Sequence, residues 1–288
     1  MRRARAARRR RLALALSLSA GLALPGCTES ESEDPRPVVV VSVLPQEYLV
    51  HRIAGDAVRI EVLIPPGASP ASYEPGITQM RALSRAALCL RVGHPRFPFE
   101  NTWLDALLAE RPDLLVIDGS AGAEALPNDP HVWLAPRQVE RTAIRLEAAL
   151  AEVLPEQREM LAAELAGFRR EIDALDAEIR GILAERTGRR FLVFHPAWGR
   201  FADAYGLEQV AIERDGKEPD PHALARHIEQ ARRAGVKVIF VQPQFDPAGA
   251  ETVAREIGAR VEALDPLAYD WAGNLRHVAQ ALAEGLFE

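Results

Sequence analysis

Apolar residues along this chain fall into short alternating patterns and one long regular stripe. The stripe consists of Leu161, Leu165, Phe168, Ile172, Leu175, Ile179 and Ile182, stepping by fours and threes with Arg, Glu and Asp between them. That spacing lays one apolar face along a helix predicted over residues 155–188. At 1.5 Å per residue such a helix is roughly 45–50 Å long, more than the width of one domain. A coiled-coil strand would carry its heptads further, whereas these stop abruptly and strand–helix patterns lie on both sides. The segment reads as one helix spanning two lobes.

Ahead of the stripe, apolar runs predict strands over 38–43, 58–64, 88–92 and 114–117, with helices over 46–54, 78–86 and 101–110. Behind it, strands are expected over 191–194, 209–212, 236–241 and 261–264, with helices over 197–205, 221–234, 247–257 and 271–286. Gly55 suits the end of the first helix, and Asp220 before Pro221 suits the start of another. Continuous apolar strands alternating with helices indicate mostly parallel sheets covered on both faces. The expected fold is therefore α/β, two doubly wound α/β lobes bridged by one long backbone helix. The expected boundaries are 38–136 for the first lobe, 137–188 for the helical segment and 189–288 for the second lobe.

The first 37 residues do not belong to that body. Residues 1–11 hold seven arginines and no acid, residues 12–24 are apolar, and Leu24-Pro25-Gly26-Cys27 follows. This is the layout of a secretory signal peptide over 1–26, too short for a comfortable membrane span. A Cys directly after a small residue resembles a lipobox, in which Cys27 becomes the lipidated first residue of the mature chain. Pro25 is an unusual occupant of that motif. Residues 27–37, polar, acidic and proline-bearing, read as a tether. Without the seven arginines, 28 Lys and Arg stand against 41 Asp and Glu, a net charge of −13. So acidic a surface argues against a nucleic-acid partner and is compatible with attracting cations. Cys89 is the one cysteine besides Cys27, so the mature chain forms no disulfide within itself, and its apolar neighbours mark Cys89 as a small buried hydrophobe.

Ligands of open parallel sheets collect beyond the carboxyl ends of the strands. His195 directly follows one predicted strand and Asp265 another, His94 lies two residues past a third, and Glu74 and His131 lie in loops that follow two more. Imidazoles and carboxylates on one edge form a ligand set for zinc or another first-row metal. His51, His222, His227 and His277 sit on predicted helices and read as surface residues.

Several stretches here are recognisable together: Asp129-Pro130-His131-Val132-Trp133-Leu134-Ala135-Pro136, Phe194-His195-Pro196-Ala197-Trp198-Gly199, Leu264-Asp265-Pro266-Leu267, Tyr73-Glu74-Pro75 and Gly216-Lys217-Glu218-Pro219. With these motifs in order, the chain resembles the zinc/manganese ABC-transporter solute-binding lipoproteins from about Val38 to Leu286. The resemblance implies two α/β lobes on one long helix and one metal ion in the cleft between them, held by three histidines and a carboxylate. It places three of those ligands on His131, His195 and Asp265. Where the family has Pro-His-x-Tyr-Glu-Pro, this chain reads Pro70-Ala71-Ser72-Tyr73-Glu74-Pro75, and Ala71 coordinates nothing. Three substitutes are open: His94 swinging in from its strand end, which is favoured, then water, then Glu74. Residues 119–128 are short and lack the His-rich insertion of many zinc-binding members.

The function these readings imply is an exported, lipid-anchored solute-binding protein of the bacterial cell envelope, a monomer and not an enzyme. It captures Zn2+, with Mn2+ the second choice, and delivers it to the permease of an ABC importer. Ca2+ and Mg2+ are disfavoured by the histidines. Two alternatives stand beside it. A site widened at Ala71 suits a metal chelate or other larger ligand, and three ligands with an open position also describe a hydrolytic zinc, although no general base is evident except Glu74.

Overall fold

The computed structural model describes residues 34–123, 125–213 and 220–287. The expected signal peptide, Cys27 and the Gly216-Lys217-Glu218-Pro219 stretch lie outside them.

Residues 36–288 form one compact unit. Its first half runs β1 (Val38–Val41), α1 (Leu44–Ala54), β2 (Arg59–Val62), α2 (Ile77–Arg85), β3 (Ala86–Arg91), α3 (Asp105–Ala109) and β4 (Leu115–Asp118). Two long helices follow, α4 (Pro136–Val153) and α5 (Arg158–Ile182). The second half runs β5 (Arg190–Val193), α6 (Gly199–Tyr205), β6 (Glu208–Ala211), α7 (Pro221–Arg233), β7 (Val238–Val241), α8 (Ala248–Ile257), β8 (Arg260–Ala263) and α9 (Trp271–Gly285). The strands make two four-stranded sheets of the same topology, β2-β1-β3-β4 and β6-β5-β7-β8, parallel throughout. The central strands are apolar on both faces because helices cover both. All four valines of β1 are buried, as are Leu88, Cys89 and Leu90 of β3. Burial pushes the Cys89 thiol up to about 12.

Each sheet reverses its strand order beside its first strand, between β1 and β3 and between β5 and β7. The loops leaving those strands diverge there and open a crevice, which directs the search for a site to the carboxyl edges.

The predicted stripe is α5, with Leu161, Phe168, Ile172, Leu175 and Ile179 buried. It is shorter than its apolar pattern suggests, 25 residues or about 37 Å. Pro155 opens a separate 3₁₀ turn, Pro155–Gln157, and beyond Leu183 the chain turns through Glu185 at a φ of 61°. Packed against α1, α4 and α9, α5 serves both lobes. Phe168 makes this visible, standing edge-on at 6.2 Å to Tyr48 of α1 and at the same distance to Trp271 of α9. One apolar core therefore runs from β1 and β3 through α5 to β5, β7 and α9, and a smaller cluster fills the far face of the second sheet under α7 and α8. The helix expected over 101–110 is divided: its first turn, Glu100–Leu104, is π-helical, and α3 supplies the rest. That wide turn seats buried Glu100 on the strand ends, where it accepts hydrogen bonds from Ser42 Oγ, Val92 N and Gly93 N.

A continuous core makes the lobes unfold together. Ile172→Ala, at a fully buried position, is expected to cost about 2–5 kcal/mol. Denaturant unfolding followed by tryptophan fluorescence and by circular dichroism should shift as one transition, and two separated transitions would contradict the shared core.

Candidate metal centre

His131 and His195 come from different lobes and meet, their ring centroids 5.7 Å apart and their planes nearly perpendicular. His195 leaves the end of β5, where its carbonyl accepts from Ala197 N and turns the chain into α6. Phe245, beyond the end of β7, stacks on its ring at 4.8 Å. His131 ends the loop after β4. Its backbone N–H donates to Asp129 Oδ1 at 2.9 Å, and the 3₁₀ turn Val132–Leu134 leads into α4 at Pro136.

Each ring is held from behind by a carboxylate. His131 Nδ1 lies 2.7 Å from Asp129 Oδ1, and His195 Nδ1 lies 3.1 and 3.0 Å from the two oxygens of Glu213. The side chains of Asp129 and Glu213 are 13% and 5% exposed. An Nδ1–H donated to a carboxylate fixes the tautomer, leaves Nε2 as the free lone pair and raises its basicity. Burial works against the charge on Asp129, but His131 and Arg200 outweigh it and hold that carboxyl below its ordinary range.

Asp265 leaves β8 on the same edge of the second sheet. Gln244 Nε2 and Leu267 N both donate to its Oδ1, at 2.7 and 2.8 Å. It lines a cleft with Val43, Ile64, Pro66, Gln244 and Tyr269, residues of both lobes. The Asp265 and His131 loops are tied together. Trp133 Nε1 donates to Pro266 O, and Trp271 Nε1 donates to Trp133 O, both at 2.7 Å with both indoles buried.

The geometry thus pairs two of the predicted residues and leaves the others apart. Among the described residues no three His, Cys, Asp or Glu side chains are gathered closely enough to hold an ion together. Asp265 is engaged with Gln244 instead. His94 is 5% exposed, and burial together with the Arg200 guanidinium pushes its imidazole down. Its Nδ1 accepts from Arg96 N at 3.1 Å, which puts the ring proton on Nε2, the donor and not the ligand form. Ala71 is exposed in the loop after β2, its N–H on Ser69 Oγ, and Glu74 is exposed in the same loop. His51, His222 and His277 are exposed on helices as expected, whereas His227 is half-buried.

Asp129, Glu213, Gln244 and the two indoles are the parts that motif reading missed. Asp129 carried a signal, an acid two residues before a His in an Asp-Pro-His turn. Glu213 carried none, since only the pairing of β5 with β6 brings it beside His195.

Gly199 lets this arrangement close. A Cβ there would sit 2.6 Å from Asp129 Oδ2, the oxygen that accepts from Arg200 N. Gly199→Ala is therefore expected to displace Asp129 and lower stability by about 1–3 kcal/mol in thermal melts, and an unchanged midpoint would show that the contact is loose.

A family model described as the periplasmic component A of the zinc-uptake complex, ZnuA, matches residues 39–285. The high-affinity zinc uptake system protein ZnuA of Yersinia pestis is 29% identical over 262 residues, which cover 80% of this chain and 82% of that one. Among solved structures, a crystal structure of ZnuA matches with a TM-score of 0.81 at 39% identity, covering 87% of this chain and 99% of the other. A ZnuA deletion mutant with zinc bound matches at 0.80 and 38%, covering 87% and 98%. The family match runs through both lobes and every loop that carries the paired histidines, and the chain belongs to the ZnuA family of periplasmic zinc-uptake components.

Proposed function

We propose that this protein is an exported, lipid-anchored binding protein that captures one divalent transition metal between its lobes and delivers it to an ABC permease. Zinc is the expected cargo and manganese the second. The observation that carries the reading is the facing pair His131 and His195, each with its Nδ1 on a carboxylate and its Nε2 free. Two imidazoles and one carboxylate suit zinc, and the zinc-bound ZnuA variant supports that choice.

In this reading His131, His195 and Asp265 are the protein ligands. Asp265 joins by turning from Gln244 towards the histidines, a movement confined to the end of β8. His94, its Nδ1 taken by Arg96 N, is not a ligand, and water fills the position that Ala71 leaves without a donor. The anchor is Cys27, which keeps the binding protein at the membrane that holds its permease. The protein carries its cargo without chemistry, a reading supported by its membership of a zinc-uptake binding-protein family.

Metal titration of the purified, metal-stripped mature chain tests this. At free zinc 1,000-fold above Kd, binding stabilises by about 4 kcal/mol, a rise of roughly 8–16 °C in the thermal midpoint. His131→Ala is expected to abolish the rise. Glu213→Gln keeps the shape of the side chain, removes the charge behind His195, and is expected to weaken zinc binding by about 10-fold. No rise with zinc, manganese or any other first-row ion would sink the reading.

A further inference from the structure

The loop that presents Asp129 and His131 is gripped by a residue of the other lobe. Arg200, in the first turn of α6, is 6% exposed. Its Nε donates to Asp129 O at 2.8 Å, Nη1 to Ala125 O at 2.9 Å and Nη2 to Leu126 O at 3.0 Å. Its backbone N–H donates to Asp129 Oδ2 at 3.1 Å. Four donors of one residue are thus spent on residues 125–129, more than 70 positions away in sequence.

The gripped loop does not hold that shape cheaply. Leu126 has a φ of 55°, the left-handed region that a branched side chain adopts reluctantly, and its side chain is 37% exposed, so core packing does not hold it there. Two donors hold its carbonyl, Asp129 N and Arg200 Nη2. Without the guanidinium, the carbonyls of Ala125 and Asp129 lose their donor, that of Leu126 keeps only Asp129 N, and the turn at Leu126 loses its main external restraint. Asp129, with Oδ1 on His131 and Oδ2 on Arg200 N, would be carried with it.

We propose that Arg200 is a positioning residue for metal binding, a clamp from the second lobe that holds the strained 125–129 turn so that Asp129 orients His131. It touches no ligand of the metal itself. It acts through the turn, so its removal both weakens the site and speeds release. The inference rests on His131 being a ligand.

The test measures zinc affinity and dissociation rate by chelator competition on the same mature chain, together with apo-protein melts and the visible spectrum of the Co2+ form. Arg200→Ala is expected to lose about 10–100-fold in affinity, with faster release and an altered Co2+ spectrum. Arg200→Lys, one ammonium in place of a fork, should fall between it and wild type. Glycine takes a positive φ freely, so adding Leu126→Gly to either variant should recover most of the lost affinity. A merely structural arginine would show no such recovery. Wild-type affinity and release in Arg200→Ala, or no recovery on adding Leu126→Gly, overturns the clamp while loss of binding in His131→Ala keeps the metal site. Binding unchanged in His131→Ala overturns the site itself. If Arg200→Ala fails to melt cooperatively, Arg200→Lys with and without Leu126→Gly decides by the same criterion.

Discussion

A buried indole N–H has to find an acceptor, and the two in this cleft find theirs on each other's loops. Trp133, two residues past His131, donates to the carbonyl of Pro266, one residue past Asp265, while Trp271 donates back to the carbonyl of Trp133. Leaving either unpaired would forfeit the desolvation cost of a buried donor, about 1–3 kcal/mol. The loops after β4 and β8 therefore keep a fixed relation to each other although they belong to different sheets. Beneath them Phe168 of α5 seats Trp271 from below and Tyr48 from the first lobe. Everything the site does takes place on a frame set by those contacts.

Within that frame the candidate ligands are prepared to different degrees. Both imidazoles already have their tautomers set by Asp129 and Glu213, so metal binding costs them little reorganisation. Asp265 is neither disordered nor committed, since its Oδ1 is satisfied by Gln244 and Leu267. Both donors are neutral, so moving the carboxylate gives up less than breaking a pair with a cation would.

The architecture was largely legible in the sequence, and much of the site was not. Strand positions followed from apolar periodicity because α/β strands are buried on both faces and bounded by loops, and their predicted and observed edges differ by a residue or two, whereas α4 was not separated from the long helix and the helix expected over 101–110 begins as a π turn. The long helix was overextended, since an apolar stripe does not register that Pro155 starts a 3₁₀ turn or that Glu185 bends the chain at a positive φ. His131, His195 and Asp265 stood out through their motifs and their place at strand ends. What supports them was silent: Glu213 reaches His195 through strand pairing, Arg200 reaches residues 125–129 across the lobes, and Trp133 finds Pro266 at a separation of 133 residues. Local pattern carries no term for such distances. His94 shows the opposite case. Its position at a strand end suggested a ligand, but the backbone N–H of Arg96 occupies the nitrogen whose donation to a carboxylate frees Nε2 in the other two rings.

The two histidines differ in which lobe supplies the groups that fix them. The groups that fix His195, Glu213 past β6 and Phe245 past β7, belong to its own sheet and travel with it. Those that fix His131 do not. Asp129 holds the ring, but Arg200 of α6 holds Asp129, so the orientation of a first-lobe imidazole depends on the second lobe. The shared core around α5 opposes wide opening, because separating the lobes would expose Phe168, Ile172 and Leu175 to water. Small displacements of α6 against the 125–129 turn bear on Asp129 and through it on His131. In the reading proposed above, a rigid backbone helix and an arginine grip across the lobes would turn a motion too small to open the cleft into a change at His131.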